Sequence, residues 1–428
     1  MSVTMKRLVV VGLGYVGLPL ALLADKKGYA VHGLDIDTRK INALNSGKSY
    51  IDDIEDAEVK NSTVTFVSDA SVVKNADIAI VCVPTPVDEN KQPDLGPVEG
   101  AVKAIAPYLQ PQTLIVLEST VNPGVCDEVV IPLLESFTSH KVGKDIYLAH
   151  CPERINPGDP TWNVSNISRV VGANSEIELE LARELYESLI EAPIKPMNSL
   201  KEAEAVKVVE NSFRDINIAF VNELAMSFHK LGINLENVID GAATKPFGFM
   251  PHRPGCGVGG HCIPVDPYYL IEYAHGYGFE HNLLRLARSV NESMPRFTVE
   301  LLEEALNSIK KPFNGTKVAL LGLSYKANIG DDRESPAYEL QELLEANGVD
   351  LVVFDPHLTK GSTVGSLEEA LQHATAVVVA TGHKEFAELT PEVFTKAGVK
   401  IVIDGRNIYR TIKPTLDTTG IIYKGIGV

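Results

Sequence analysis

Two doubly wound α/β units, joined by a long central helix and a helical domain, are the architecture this 428-residue sequence predicts. Three observations carry it. Short β-branched runs that stop at glycine, proline or acid alternate with helical stretches, once over 8–117 and again over 317–404. The first turn, Gly12-Leu13-Gly14-Tyr15, is echoed by Gly322-Leu323-Ser324-Tyr325. Between the two, 201–231 is one helical pattern without proline or glycine, its apolar residues Val206, Val209, Phe213, Ile216, Phe220 and Leu224 recurring at helical spacing.

Taken in order, 8–11 reads as a buried parallel strand, 19–27 as a helix and 30–34 as a second strand ending at Asp35. Strands follow over 76–83, stopping at Pro84-Thr85-Pro86, and over 113–117, stopping at Glu118-Ser119-Thr120. After the long helix comes a loop rich in Pro and Gly, 245–267, then helix over 282–309. Strands return at 317–321, 351–354, 376–380 and 400–403. The expected domains are 1–199, 200–309 and 310–428.

Composition narrows the class. Hydrophobic residues make up 45% and charged residues 22%, ordinary globular usage that excludes wholesale disorder. The net charge of −17 repels phosphate backbones and argues against a nucleic-acid partner. Five scattered cysteines form no disulfide framework and suit a reducing compartment. The uncharged stretch 8–24 follows Lys6-Arg7 but is too short to span a membrane and carries three glycines and a proline. A cytoplasmic protein with no membrane partner is expected.

Gly12-x-Gly14-x-x-Gly17 follows a strand and opens a helix. The first glycine permits a tight turn, the second lets amides approach a pyrophosphate, and the third permits helix–strand packing. Asp35 is placed to bind both ribose hydroxyls, which favours NAD because its charge repels a 2′-phosphate. Arg39 either stacks on adenine or solvates a helix face. In the echo, Ser324 replaces the second glycine, so that Rossmann-like unit is not expected to hold a dinucleotide in the same way.

On the long helix, Lys207, Asn211 and Arg214 fall within about 60° of one another, with Asn222 near the same meridian, while Lys201, Glu202 and Glu204 read as solvated. An ammonium and a carboxamide one turn apart can stabilise an oxyanion, or they are a polar face and nothing more. In 254–267, four glycines around Cys262 let the backbone come close to a ligand, and Asp266 can orient a water or accept a proton. A metal held by Cys256, His261 and Cys262 matches no common zinc spacing, so no metal is expected. NAD with an accessible cysteine suggests aldehyde oxidation through a thioester.

These residues together resemble the UDP-glucose/GDP-mannose dehydrogenase family, from the opening fingerprint to Asp404-Gly405-Arg406-Asn407. The matching motifs are Val83-Pro-Thr-Pro86, Glu118-Ser-Thr120, Cys151-Pro-Glu-Arg154, Glu204 to Asn211, Gly259-Gly-His-Cys-Ile-Pro264, and Tyr325-Lys326 leading to Asp331-Asp-Arg-Glu-Ser-Pro336. The resemblance implies two NAD-dependent oxidations of a nucleotide-sugar 6-hydroxyl to a carboxylate. It also implies an N-terminal NAD domain, a helical dimerisation core giving a homodimer, and a C-terminal UDP-binding domain.

The segments 151–159 and 244–250 resemble the bacterial UDP-N-acetylhexosamine branch, and Pro157 stands where the UDP-glucose branch has a second glutamate. Cys256 in place of proline and His252-Arg253 in place of aromatics depart from that branch beside the sugar site. By resemblance, Gly12, Gly14, Tyr15, Val16, Gly17, Asp35, Arg39, Thr85, Thr120 and Arg333 contact NAD. Glu153, Asp266, Lys207, Asn211, Thr120 and Cys262 are the implied catalytic set. Arg154, Ile155, Arg214, Arg253, Gly259, Tyr325, Lys326 and Arg406, with Glu153, Lys207 and Asn211, are the implied UDP-sugar contacts.

Overall fold

The computed structural model describes residues 6–51, 54–88, 92–154 and 161–428. They form two compact units, Met1–Glu210 with Tyr268–Glu280, and Asn211–Pro267 with His281–Val428. Of the sequence-derived site residues, Ile155 lies outside the described residues.

The first unit is built on eight strands: β1 (Arg7–Val11), β2 (Ala30–Leu34), β3 (Thr65–Val67), β4 (Ile78–Val81), β5 (Leu114–Leu117), β6 (Tyr147–His150), β7 (Arg169–Ala173) and β8 (Ile194–Met197). Their order is β3-β2-β1-β4-β5-β6-β7-β8, and every pair is parallel except β6 with β7. The strand order reverses direction beside β1, where β4 pairs on the side opposite β2. In doubly wound sheets, ligands bind outside the carboxyl ends of strands at such a switch point. Leu8 and Val10 enter one core while Val9 and Val11 enter another, so both sheet faces are covered. That is why these strands read as unbroken apolar runs. The strand expected over 76–83 is shorter: the Cys82 amide makes a last bond to the Val11 carbonyl at 2.7 Å, and the Val83 carbonyl then accepts from Ser119 Oγ at 2.7 Å.

The second unit holds β9 (Lys317–Leu321), β10 (Asp350–Phe354), β11 (Ala376–Val379), β12 (Ile401–Asp404) and β13 (Ile422–Gly425), all parallel, in the order β10-β9-β11-β12-β13. Val318 and Leu320 share one core with Val221, Ala225, Met294 and Leu302, so the helices Leu200–Leu231 and Asn282–Ser308 cover that face. Ala319 and Leu321 serve the opposite core with Phe386 and Phe394.

The long helix corrects two expectations. Val209, Phe213 and Phe220 are exposed, so its apolar spacing does not mark a single buried face. Glu204 is not solvated. It is fully buried, and its carboxylate accepts the Gly124 and Cys126 amides at 2.5 and 2.7 Å. Those backbone donors supply what water would have, which the helical period alone does not reveal.

Candidate functional site

The glycine turn after β1 has the geometry its sequence requires. Gly12 has φ +91°, and a Cβ there would sit 2.9 Å from the Cys82 carbonyl oxygen. A Cβ on Gly17 would lie 1.8 Å from the Gly12 carbonyl oxygen, so only glycine lets the helix Gly17–Lys26 meet the turn. Gly14 faces open space, with no heavy atom within 4 Å of its notional Cβ. The helix has neither a capping side chain nor an acidic residue in its first turn. Tyr15 is exposed and Val16 half-buried at its mouth. Open space above Gly14 and an uncapped helix N-terminus fit a dinucleotide pyrophosphate.

Asp35 is buried and already engaged. It accepts from the Leu13 amide at 2.9 Å, the Asp37 amide at 2.8 Å and Lys40 Nζ at 3.3 Å. A carboxylate offers about four acceptor positions, so about one is left for ribose unless Lys40 moves. Arg39 is exposed and bound to Asp37, the helix-face alternative. Lys40 was missed by the sequence reading, and it also lies 5.7 Å from the centre of the Tyr50 ring. The Tyr50 hydroxyl donates to the Leu13 carbonyl, bracing the turn from below.

At the ends of β4 and β5 the structure brings Thr85 and Thr120 together, Thr85 Oγ1 donating to the Thr120 carbonyl at 2.6 Å. Tyr269 donates to the Thr85 carbonyl. After β6, Glu153 is buried with one carboxylate oxygen 2.5 Å from Arg169 Nη2. Arg154 pairs with Glu210 and donates to the Ser168 carbonyl at 2.9 Å.

Lys207 and Asn211 sit one turn apart on the long helix, and both are buried. Among the described residues the Lys207 ammonium has no hydrogen-bond or ion-pair partner within reach, at 8% exposure. Holding a buried lysine without a partner among the described residues costs stability. Arg214 parts company with them and is exposed. Asn222 serves the fold, accepting the Gly255 amide at 3.0 Å and donating to Asn291 Oδ1 at 2.9 Å.

Asn211 Nδ2 donates to Asp266 Oδ2 at 2.5 Å within the second unit. Asp266 opens the helix Asp266–Gly276, and the amides of Val265 and Asp266 close a turn on the Cys262 carbonyl at 3.1 and 2.8 Å. Cys262 is the one partly exposed cysteine, and the other four are buried. Burial pushes the thiols of Cys82, Cys126, Cys151 and Cys256 up, leaving them inert near neutral pH. Cys256 points into the core, its Sγ 3.4 Å from the Ala380 carbonyl.

The glycines beside Cys262 do not make room for a ligand, as the sequence suggested. A Cβ on Gly259 would lie 2.7 Å from the Glu334 carbonyl and from Tyr325 Cβ, one on Gly260 2.8 Å from the Tyr325 ring, and one on Gly257 2.6 Å from Pro336. Their smallness lets the loop press against the chain after β9. Arg406 fastens it further, donating to the Ala380 carbonyl at 2.8 Å and the Gly257 carbonyl at 3.3 Å. Arg333 pairs with Asp331, Arg253 with Glu236 and Asp240, and Lys326 is half-buried.

Residues 6–190, 201–293 and 319–411 match, respectively, the NAD binding, central and UDP binding domains of one family. The chain belongs to the UDP-glucose/GDP-mannose dehydrogenase family. This dehydrogenase is 38% identical over 427 residues to a UDP-N-acetyl-D-mannosamine dehydrogenase of Pyrococcus horikoshii, covering 98% of this chain and 99% of that one. It is 37% identical to a UDP-N-acetyl-D-glucosamine 6-dehydrogenase of Pseudomonas aeruginosa, covering 92% and 94%. A solved UDP-D-ManNAc dehydrogenase from Pyrococcus horikoshii superimposes with a TM-score of 0.91 over 99% of each chain at 38% identity.

In this dehydrogenase the acid beside the second glycine turn is taken up by the fold. Asp355 accepts from the amides of Leu323 and Ser324, the Ser324 hydroxyl and His383 Nε2. These partners hold its carboxyl well below the usual range and leave it 2% exposed. Ser324 in place of glycine is the sequence signal for that difference. No helix among the described residues is long and apolar enough to cross a membrane.

Proposed function

We propose that this family member oxidises the 6-hydroxyl of UDP-N-acetylglucosamine or UDP-N-acetylmannosamine to a carboxylate in two NAD-dependent steps, making a precursor for surface polysaccharide. The observation that carries the reading is the buried Lys207–Asn211 pair, with Asn211 bound to Asp266 four residues after the partly exposed Cys262. The N-acetylhexosamine assignment draws on the names of the relatives above.

The glycine turn, Asp35, Thr85 and Thr120 would hold NAD, which when bound would supply the hydride acceptor for both oxidations at C6. Glu153 and Asp266 receive the hydroxyl proton through water. The Cys262 thiolate then adds to the aldehyde carbon, giving a thiohemiacetal, which the second oxidation converts to a thioester. Water attacks that thioester, and the thiolate leaves. Lys207 and Asn211 donate to the oxygen that carries negative charge in both the addition and the hydrolysis. Arg214, Arg253, Tyr325, Lys326 and Arg406 are the proposed UDP-sugar contacts, and Arg333 a cofactor contact.

The test is NADH release from UDP-N-acetylglucosamine, UDP-N-acetylmannosamine, UDP-glucose and UDP-galactose in parallel. One of the two acetamido sugars should have a kcat/KM at least about ten-fold above UDP-glucose, because groups that bind an acetamido lose a partner with glucose. A higher value for UDP-glucose would make the chain a UDP-glucose 6-dehydrogenase.

The three-part division at 199/200 and 309/310 and a cytoplasmic location belong to the same reading. So does a homodimer. Val209, Phe213, Phe220 and Leu231 are all exposed and lie within about 40° of arc on one helix. A second copy is the proposed cover for this stripe. Phe213→Asp with Phe220→Asp should convert a dimer to a monomer in sedimentation, and a parent chain that sediments as a monomer would remove the proposal.

A further inference from the structure

Arg169, on β7, is completely buried in the first unit, and two carboxylates converge on it. Glu118 Oε2 lies 3.3 Å from Nη1 and Glu153 Oε2 lies 2.5 Å from Nη2. Glu118 follows β5 and is two residues before Thr120, and its carbonyl accepts the Glu153 amide at 3.4 Å. The two acids are therefore tied through backbone and guanidinium alike.

The other groups facing Glu118 come from three further elements. The Tyr186 hydroxyl, on the helix Glu176–Leu189, donates to Glu118 Oε1. Cys82 Sγ, after β4, is 4.0 Å from Oε2, and Cys151, after β6, shares the pocket. Burial pushes Tyr186, Cys82 and Cys151 up, so they stay neutral, and among the described residues Arg169 and the Glu153 carboxyl are the further ionisable groups against Glu118. One guanidinium cannot neutralise two carboxylates in a site sealed from water, so the pair retains a proton until the surplus charge can be borne.

We propose that Glu118 is a positioning residue for Glu153: while Glu118 is protonated, Arg169 is committed to Glu153, and once Glu118 loses that proton the guanidinium is shared between the two carboxylates, which frees Glu153 to engage the water that receives the substrate proton. The step breaks the carboxyl O–H of Glu118, sends the proton to solvent and leaves a carboxylate that shares Arg169. Burial, with repulsion from Glu153, lifts the Glu118 carboxyl to about 7 against the pull of Arg169, which places the change in the working range of an enzyme. The inference rests on the proposed role of Glu153 in proton transfer.

The experiment is kcat against pH for the parent, Glu118→Gln and Tyr186→Phe at saturating NAD and UDP-sugar. The parent should show an acid limb near about pH 7. Glu118→Gln should move that limb down by about one unit and lower the plateau about ten-fold, with both KM values within about two-fold. Tyr186→Phe, which removes a donor to the charged form, should move it up. Profiles that superimpose overturn the proposal. Infrared spectra of the unmodified protein test it even if the variants do not fold. A protonated carboxyl band lost between about pH 6 and about pH 8 supports it, and no such loss overturns it. If the parent oxidises none of the four sugars, the substrate reading fails, while the infrared titration, set against that of Glu118→Gln, still decides whether Glu118 holds the proton.

Discussion

Replacing Cys262 with Ala should abolish acid formation, with a fall of at least about 10³-fold in the two-step reaction. Four of the five thiols are sealed in cores and pushed up by burial, so no neighbouring cysteine can substitute. Cys262 differs in being partly exposed, in the turn that its carbonyl closes with the Val265 and Asp266 amides at the start of a helix. The parent should release two NADH per sugar, and the variant should stall near the aldehyde. NAD binding should hold within about two-fold, because the glycine turn belongs to the other unit. Serine should do little better, since an unactivated hydroxyl is a far weaker nucleophile near neutral pH. Undiminished acid with two NADH per sugar would falsify the covalent route and leave direct oxidation of the hydrated aldehyde.

The parts of this molecule that were legible in the sequence are those governed by local pattern. β1 and β9 alternate residues between two cores, so each reads as a continuous apolar run whichever way it faces. Gly12 and Gly17 were legible because steric demand at those positions admits only one residue type. Gly259 and Gly260 carry the same signal, yet what they approach is Tyr325 and Glu334, some 65–75 residues on. A glycine announces that something comes close and does not say what.

The charges were the harder part. Glu204, Glu118 and Arg169 are all fully or almost fully buried, and each meets its partners among groups distant in sequence. Glu118 was visible as a motif residue beside Thr120. Its partner Arg169 opens a strand with no motif around it, so nothing local links the two. Arg39 and Lys40 show the same limit at short range: adjacent basic residues at the start of a helix point about 100° apart, and only coordinates show which reaches Asp35.

Replacing Lys207 with Met should lower kcat by about 10²–10³-fold, the usual cost of removing one donor to a developing oxyanion. The same change should leave the protein at least as stable, with a gain of up to about 1 kcal/mol. A nearly buried ammonium without a partner among the described residues is held at a cost, and methionine fills much the same volume without a charge. The two effects should therefore run in opposite directions, which separates catalysis from support. Had Lys207 been structural, its removal would lower the melting temperature and reduce activity only in proportion to unfolded protein. Arginine should rescue poorly, since the buried site was shaped for a compact point charge and a planar fork is bulkier. Steady-state rates and thermal melts of the same preparations decide it: a melting temperature that falls by several degrees, with kcat per folded molecule unchanged, would remove Lys207 from the catalytic set.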